Sequence, residues 1–137
     1  MPTISQMTTL IEDHLGRELA GDAAGAVAVY TDDVQHDVVG SPMGVLTGPA
    51  AALGFYEQLI NDLKIENLVA VREWFGTDFA VMEHIVDAAV AGSFMGIAGH
   101  GRSVRFRMLH VWDFRNGKIS RENVWLDGGA IAAQLTD

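Results

Sequence analysis

The dipeptide Asn116-Gly117 constrains the fold of this chain more than any other short segment. It separates two runs rich in β-branched and aromatic residues, 104–115 and 118–127. A type I′ turn requires positive φ at both of its central residues, and Asn followed by Gly tolerates this well. The sequence therefore predicts a tight β-hairpin in which Arg115 pairs with Lys118.

This predicted turn also determines which side chains of the two strands meet. Counting back from it pairs Phe114 with Ile119 and His110 with Asn123, and side chains alternate between the two faces of a strand. One face then carries most of the large apolar groups and is expected to point into the interior. It consists of Phe106, Met108, His110, Trp112, Phe114, Ile119, Arg121, Asn123, Trp125 and Asp127.

The opposite face of the hairpin carries an apolar band beside several charged residues. The band consists of Leu109, Val111, Val124 and Leu126. Exposed apolar patches often bury against a partner, and symmetric dimers are the commonest oligomers. We therefore expect a homodimer formed through the outer face of the sheet.

Three helices are predicted before the hairpin. Apolar residues recur at helical spacing from Ile4 to Leu19, Asp22 can cap a short second helix, and Pro49 begins a third. The predicted strands are 34–39, 67–75, 79–91 and the two arms of the hairpin, and a short helix follows at 129–135. This order predicts a single α+β domain over residues 1–137, with helices on one face of a four-stranded antiparallel meander.

Charge and composition exclude several classes of function. The 137 residues include 9 Lys+Arg and 18 Asp+Glu, a formal net charge of −9, which disfavours binding to nucleic acid or to an anionic membrane. There is no cysteine, so disulfide scaffolds and thiol catalysis are excluded. The His, Asp and Glu residues show no metal-ligand spacing, so we expect no metal and no cofactor. The chain start lacks signal-peptide features, which favours a cytoplasmic protein.

Four short segments together point to a known family. They are Ala20-Gly21-Asp22, Tyr30-Thr31-Asp32-Asp33, Thr47-Gly48-Pro49, and the final strand pair ending at Asp127. With them the chain resembles the SnoaL-like polyketide cyclase branch of the nuclear-transport-factor-2-like superfamily over essentially its whole length. The resemblance implies a cone-shaped, curved, mixed or antiparallel sheet wrapped on three N-terminal helices and enclosing a pocket. The superfamily hosts cyclases, isomerases, dehydratases, epoxide hydrolases and non-catalytic members.

The resemblance also implies roles for individual residues. In the polyketide cyclases the Asp that closes the last strand acts as general acid/base, and Asp127 stands there. The chain is also similar to the ketosteroid isomerases, whose base is matched by Asp37 with one change in spacing. His14 and His110 occupy the places of the two isomerase oxyanion donors.

The residues themselves leave alternatives open at these positions. His36 and Asp37 are adjacent on a strand and must point to opposite faces; the more apolar face favours His36 inward, the isomerase resemblance favours Asp37, and a bulge could reconcile them. His14 is either a donor to the pocket or half of a structural His–Glu pair with Glu18. His110 and Asp127 form either an acid/base pair or a structural polar network.

We therefore expect a cofactor-independent acid/base enzyme that acts on a small, largely apolar carbonyl compound, by cyclisation or by isomerase-like proton transfer. The alternative is a non-catalytic small-molecule-binding or dimerisation domain of the same fold. The expected catalytic residues are Asp127, His110, His36, Asp37 and His14. The expected substrate-binding residues are Trp125, Asn123, Trp112, Met108, Phe106 and Tyr56.

Overall fold

The computed structural model describes residues 1–136, which form four helices and eight strands. The helices are α1 (Ile4–Leu19), α2 (Ala23–Val27), α3 (Pro49–Asp62) and α4 (Gly128–Leu135). The strands are β1 (Tyr30–Val38), β2 (Leu46–Thr47), β3 (Leu63–Phe75), β4 (Phe79–Val90), β5 (Ser93–Phe94), β6 (Ile97–Ala98), β7 (Ser103–Arg115) and β8 (Lys118–Leu126). None of these four helices is long and apolar enough to cross a membrane.

The first helix begins and ends where its sequence predicts. Thr3 and Gln6 form a capping box, in which each backbone N–H donates to the other residue's side chain at 2.9 and 3.1 Å. Its buried face carries Met7 and Ile11 and continues one turn later with His14. Gly21 follows the helix with a φ of 77°, a conformation that favours glycine.

The strands form one six-stranded sheet with the order β2-β1-β8-β7-β4-β3, beside a separate two-stranded hairpin of β5 and β6. The β1–β8 pair is parallel and the other pairs of the large sheet are antiparallel. Two irregularities in β3 bend its pairing with β4. The predicted α+β class is confirmed, with three N-terminal helices against a large curved, mostly antiparallel sheet.

The hairpin turn has the predicted conformation, but the register of the hairpin changes two pairs further on. Asn116 and Gly117 have φ values of 53° and 73°, and Arg115–Lys118 and Phe114–Ile119 pair as predicted. A bulge then skips Ser120. One extra residue in one strand turns every later side chain of that strand to the opposite face.

This bulge overturns the predicted faces of β8. Trp112 lies opposite Glu122 rather than Arg121, and His110 lies opposite Val124 rather than Asn123. Glu122 and Val124 are buried, whereas four residues predicted to point inward do not line the interior. Those residues are Arg121, Asn123, Trp125 and Asp127. The outer apolar band is corrected in the same way, because Val124 and Leu126 line the interior.

Two groups of buried apolar residues fill the space between the helices and the sheet. The first joins α1, α2 and α3 to β1, β7 and β8 and includes Met7, Ile11 and Trp112. The second lies under α4, which contributes Ile131 and Leu135. Partly buried side chains of α3 and β3 pack against both groups, and a cavity lies between them.

We predict that Gly117→Ala destabilises the protein by about 1 kcal/mol, because a Cβ at positive φ is strained. The matched control is Gly16→Ala in the last turn of α1. A Cβ meets nothing within 4 Å at either position, and only Gly117 has a positive φ. Gly16→Ala should therefore stabilise the protein, by about 0.5–1 kcal/mol. Urea unfolding of both variants measures the difference; equal stabilities would show that the turn conformation is not what requires glycine.

Candidate active site

The cavity has a volume of about 720 Å³, within the range of small-molecule sites. Its walls come from α1, α3, β1, β3, β4, β7 and β8, from the 39–43 loop and from the β5–β6 hairpin. Most lining side chains are apolar, among them Phe106 and Met108 of β7. A few titratable side chains interrupt this surface. They are Glu18, His36, Tyr56, Asp62, His110 and Glu122.

The carboxylate of Glu122 is the centre of a buried polar cluster. Its side chain is 1% exposed, yet both of its oxygens are hydrogen-bonded. Oε1 accepts from the Tyr30 hydroxyl at 3.1 Å, from Trp112 Nε1 at 2.7 Å and from His14 Nε2 at 3.0 Å. Oε2 accepts from the Tyr56 hydroxyl at 2.8 Å. A buried charge is tolerated only when it is paired and hydrogen-bonded in this way.

Four elements bring these partners to Glu122. The bulge at Ser120 turns Glu122 inward opposite Trp112 of β7, and the parallel pairing with β1 places His36 opposite it on the other side. His14 comes from the buried face of α1 and Tyr56 from the buried face of α3. The site therefore depends on one strand register and on the packing of two helices against it.

The ionisation of Glu122 and that of His14 depend on each other. Burial raises the pKa of the Glu122 carboxyl, but the charges and hydrogen bonds of His14 and His36 outweigh burial and hold the pKa well below its ordinary value. For His14, burial has the opposite effect and lowers the pKa. The attraction of Glu122 outweighs burial and raises the pKa to about 9. His14 and Glu122 therefore form an ion pair at neutral pH.

His36 and Tyr56 connect this ion pair to the cavity. His36 Nε2 lies 3.1 Å from the Tyr56 hydroxyl and 3.4 Å from Oε2 of Glu122. Burial, together with the charge of Glu122, raises the pKa of Tyr56 well above its ordinary value, so its hydroxyl stays protonated. Nδ1 of His36 is buried and has no hydrogen-bond partner within residues 1–136.

His110 differs from His14 in its charge. Its ring stacks on Trp112 with centroids 4.5 Å apart, and Nε2 lies 3.8 Å from Glu122 Oε2. Burial lowers the pKa of His110 to about 3, in spite of the opposing attraction of Glu122. The imidazole is therefore neutral at neutral pH. Its Nδ1, like that of His36, finds no partner in the described part of the chain.

The structure divides the sequence-predicted site residues into three groups. His36, His110, Tyr56, Phe106 and Met108 line the cavity. His14 and Trp112 are fully buried behind its wall, where both contact Glu122.

The remaining four predicted site residues lie outside the cavity. Asp37 is on the outer face of the sheet, where its carboxylate accepts from Asn123 Nδ2 at 3.3 Å. Trp125 is 40% exposed. Asp127 is exposed and caps α4 by accepting from the Ala130 N–H at 3.2 Å. The predicted pocket positions of Asn123, Trp125 and Asp127 are wrong, because the Ser120 bulge reverses the face of β8. Of the two alternatives on β1, His36 points inward, so its neighbour Asp37 points outward.

Sequence reasoning missed two residues of the cluster, Glu122 and Tyr30. The hairpin register without the bulge places Glu122 on the outer face, and Tyr30 is marked only as part of a family motif. The available signal was chemical: Tyr30 and Trp112 each need an acceptor when they are buried, and Glu122 is the carboxylate of the facing strand that lies nearest to Trp112. Within residues 1–136, no group of three or more His, Asp or Glu side chains has the geometry of a metal site.

Comparison with known families agrees with this architecture. The family model for SnoaL-like polyketide cyclases matches residues 16–135. The chain belongs to the SnoaL-like polyketide cyclase family. Membership of this family indicates a small-molecule cyclase or isomerase activity. No curated protein sequence matches the chain significantly.

Solved structures share the fold at low sequence identity. TsrD from Streptomyces laurentii superposes with a TM-score of 0.84 at 16% identity, covering 98% of each chain. A candidate polyketide cyclase from Xanthomonas campestris pv. campestris has a TM-score of 0.81 at 19% identity, covering 96% of this chain and 98% of its own. An epoxide hydrolase of the LEH-like type from M. tuberculosis has a TM-score of 0.77 at 14% identity, covering 98% and 92%. At these identities the likeness shows the fold alone.

We predict that Glu122→Gln lowers the pKa of His14 from about 9 to below 6.5, because the burial penalty on the imidazolium would lose its opposing carboxylate. NMR titration of the histidine ring signals measures this change. Glu57→Gln, an exposed carboxyl on α3, is the matched control and should leave His14 unchanged. A His14 that still titrates near 9 in Glu122→Gln would contradict the assignment of the ion pair.

The same pair predicts how stability depends on pH. Because the pKa of His14 is raised in the folded protein, its stabilising contribution is complete below about pH 6.5 and is lost as the pH rises through about 9. Unfolding free energies measured between these values should fall with pH in the wild type. In Glu122→Gln, where the folded pKa lies below 6.5, that fall should disappear.

Proposed function

We propose that this protein is a cofactor-independent acid/base enzyme that enolises a small, largely apolar carbonyl compound during a cyclisation or a double-bond isomerisation. The supporting observation is the contact between His36 and the ionised, buried Glu122 at the wall of an apolar cavity. Both reaction types begin with removal of a proton from carbon next to a carbonyl group. The proposal therefore covers the step that they share.

His36 is the proposed base. Its Nε2 faces Tyr56 and Glu122, so Nδ1 is the nitrogen left for the substrate. An imidazole held beside a fixed carboxylate takes up a proton more readily, because the carboxylate stabilises the imidazolium that forms. Tyr56 fixes the orientation of the ring, and its hydroxyl keeps its proton and donates to Glu122 Oε2 at 2.8 Å.

The charges around the cavity favour an uncharged substrate. Glu122 carries a negative charge that His14 balances, and no Lys or Arg of the described chain lines the cavity. A carboxylate or phosphate on the ligand would therefore meet no cationic partner. His110, neutral and lining the same cavity, is proposed to hydrogen-bond the substrate.

We predict that His36→Asn slows proton exchange by about 10²–10⁴-fold, the usual contribution of a positioned base. The substrate for this test is 2-tetralone, an apolar enolisable ketone of suitable size, and NMR follows the incorporation of solvent deuterium next to its carbonyl group. His100→Asn is the matched control, because His100 is exposed and has a positive φ that Asn also tolerates.

A second comparison distinguishes His36 as the base from Asp127, the general acid/base that the family resemblance implies. Asp127→Asn keeps the helix cap, since Asn caps as well as Asp, and should exchange deuterium at the wild-type rate. If Asp127→Asn loses exchange and His36→Asn keeps it, the proposed base is wrong. If the wild type binds 2-tetralone and related ketones without exchanging them, the non-catalytic alternative replaces the proposal.

We also propose that the protein forms a homodimer through the outer face of the sheet, with a corrected set of apolar residues. Trp74, Val81 and Val111 are cross-strand neighbours on this face, and Leu109 pairs with Trp125. Trp74 and Trp125 are 46% and 40% exposed, and an exposed apolar patch of this kind favours association.

We predict that Trp125→Glu converts the dimer to a monomer, because it places a charge in the apolar interface. Light scattering at micromolar concentration measures the mass, and Glu57→Gln on α3 is the control that should remain dimeric. A wild-type mass near 14.8 kDa would contradict the proposal.

A further inference from the structure

Enolisation in this cavity raises a problem of charge. Removing a proton from carbon moves negative charge onto the carbonyl oxygen, and the cavity lining already contains three carboxyl groups. They are Glu18, Asp62 and Glu122, and no Lys or Arg of the described chain accompanies them in the lining. An enolate would therefore form without a cationic partner unless a proton reaches its oxygen. The site needs a proton donor that the chemistry of His36 does not provide.

Glu18 is the only one of these three carboxyl groups whose side chain makes no hydrogen bond or ion pair within residues 1–136. Glu122 is bound by the cluster described above, and Asp62 accepts from Gln58 Nε2 at 2.9 Å. Glu18 lies one helical turn after His14 on α1, is half-buried, and lines both the large cavity and a neighbouring pocket of about 260 Å³. It also lies in the last turn of its helix, where the helix dipole disfavours a negative charge.

We propose that Glu18 is a second catalytic residue of this cavity, which protonates the carbonyl oxygen of the substrate while His36 removes the proton from the adjacent carbon. This inference rests on the proposed function and identifies the residue that acts as the acid in the proposed reaction. The C–H bond breaks as an N–H bond forms on His36, and its electron pair becomes the C=C bond of the enol. The π pair of the carbonyl group forms the new O–H bond with the proton of Glu18.

The products of this step are a neutral enol, a His36 imidazolium and a Glu18 carboxylate, so atoms and charge balance. The enol then reacts at carbon, either with a second carbonyl group, whose oxygen takes the proton held by His36, or with that proton itself. Glu18 recovers its proton from the enol oxygen as the carbonyl group reforms. No cofactor or outside reactant is needed.

The surroundings of Glu18 leave a large fraction of its carboxyl groups protonated near neutral pH. Burial raises the pKa of its carboxyl to about 7, against the opposing attraction of His14 and with a smaller contribution from Glu122 in the same direction. His36 also attracts the ionised form. Asp62 lines the large cavity beside Glu18, and Lys64 lines the small pocket.

The test is deuterium exchange into 2-tetralone by Glu18→Gln, which keeps the size of the side chain but cannot transfer a proton. We expect exchange at saturating ketone to be slower by about 10²-fold or more, in the range of a positioned acid. The wild-type rate should fall as the pH rises through about 7, because the acid must be protonated, and this fall should be absent in Glu18→Gln. Glu12→Gln, an exposed carboxyl on the same helix, is the control expected to match the wild type.

Three outcomes distinguish this inference from the function on which it rests. If Glu18→Gln exchanges deuterium slowly and its rate no longer falls as the pH rises through about 7, Glu18 is supported as the acid. Wild-type exchange that Glu18→Gln reproduces in both rate and pH profile overturns the inference and leaves the proposed function standing. A wild type that exchanges no ketone overturns both. Thermal unfolding of Glu18→Gln should show no loss of stability, so a slower rate would not reflect unfolding.

Discussion

The structure depends on one ionised carboxylate whose side chain is almost completely buried. Transfer of such a charge into a protein interior costs several kcal/mol, and removing one partner of a buried ion pair typically costs about 3–5 kcal/mol. Glu122 meets this cost with donors from α1, α3, β1 and β7. Each donor is useful only within hydrogen-bond distance, so the charge restricts how the two helices can lie on the sheet.

The same charge gives chemically identical side chains different states. His14 is held as a cation by its contact with Glu122, whereas His110, only 3.8 Å from the carboxylate but without a close hydrogen bond, stays neutral. Separation of protonation states by environment is how one site can offer both a donor and an acceptor at a single pH. The histidines of the cluster are therefore not interchangeable, although all three lie around one carboxylate.

The sequence predicts the order of the elements well, because its strongest signals are local. Thr3 caps α1, Pro49 begins α3, and Asn116 and Gly117 adopt the expected turn. The inward orientation of His36 also followed from the apolar character of its strand face. The site was predicted less well because a single extra residue, Ser120, reverses the face of β8. The bulge cannot be recognised from residue type or spacing. It is stabilised by the contacts of the buried Glu122 with partners that are distant in sequence.

Those long separations have a consequence for when the cluster forms. Glu122 is 92 residues from Tyr30 and 66 from Tyr56, and β8 is the strand that joins β1 to β7. During synthesis the helices and the first strand emerge long before the strand that completes the sheet between them. Contacts of this range must wait for loop closure and slow the folding of a domain. The buried cluster around Glu122 is therefore assembled last, and a nascent chain holds its histidines and tyrosines without the carboxylate that organises them.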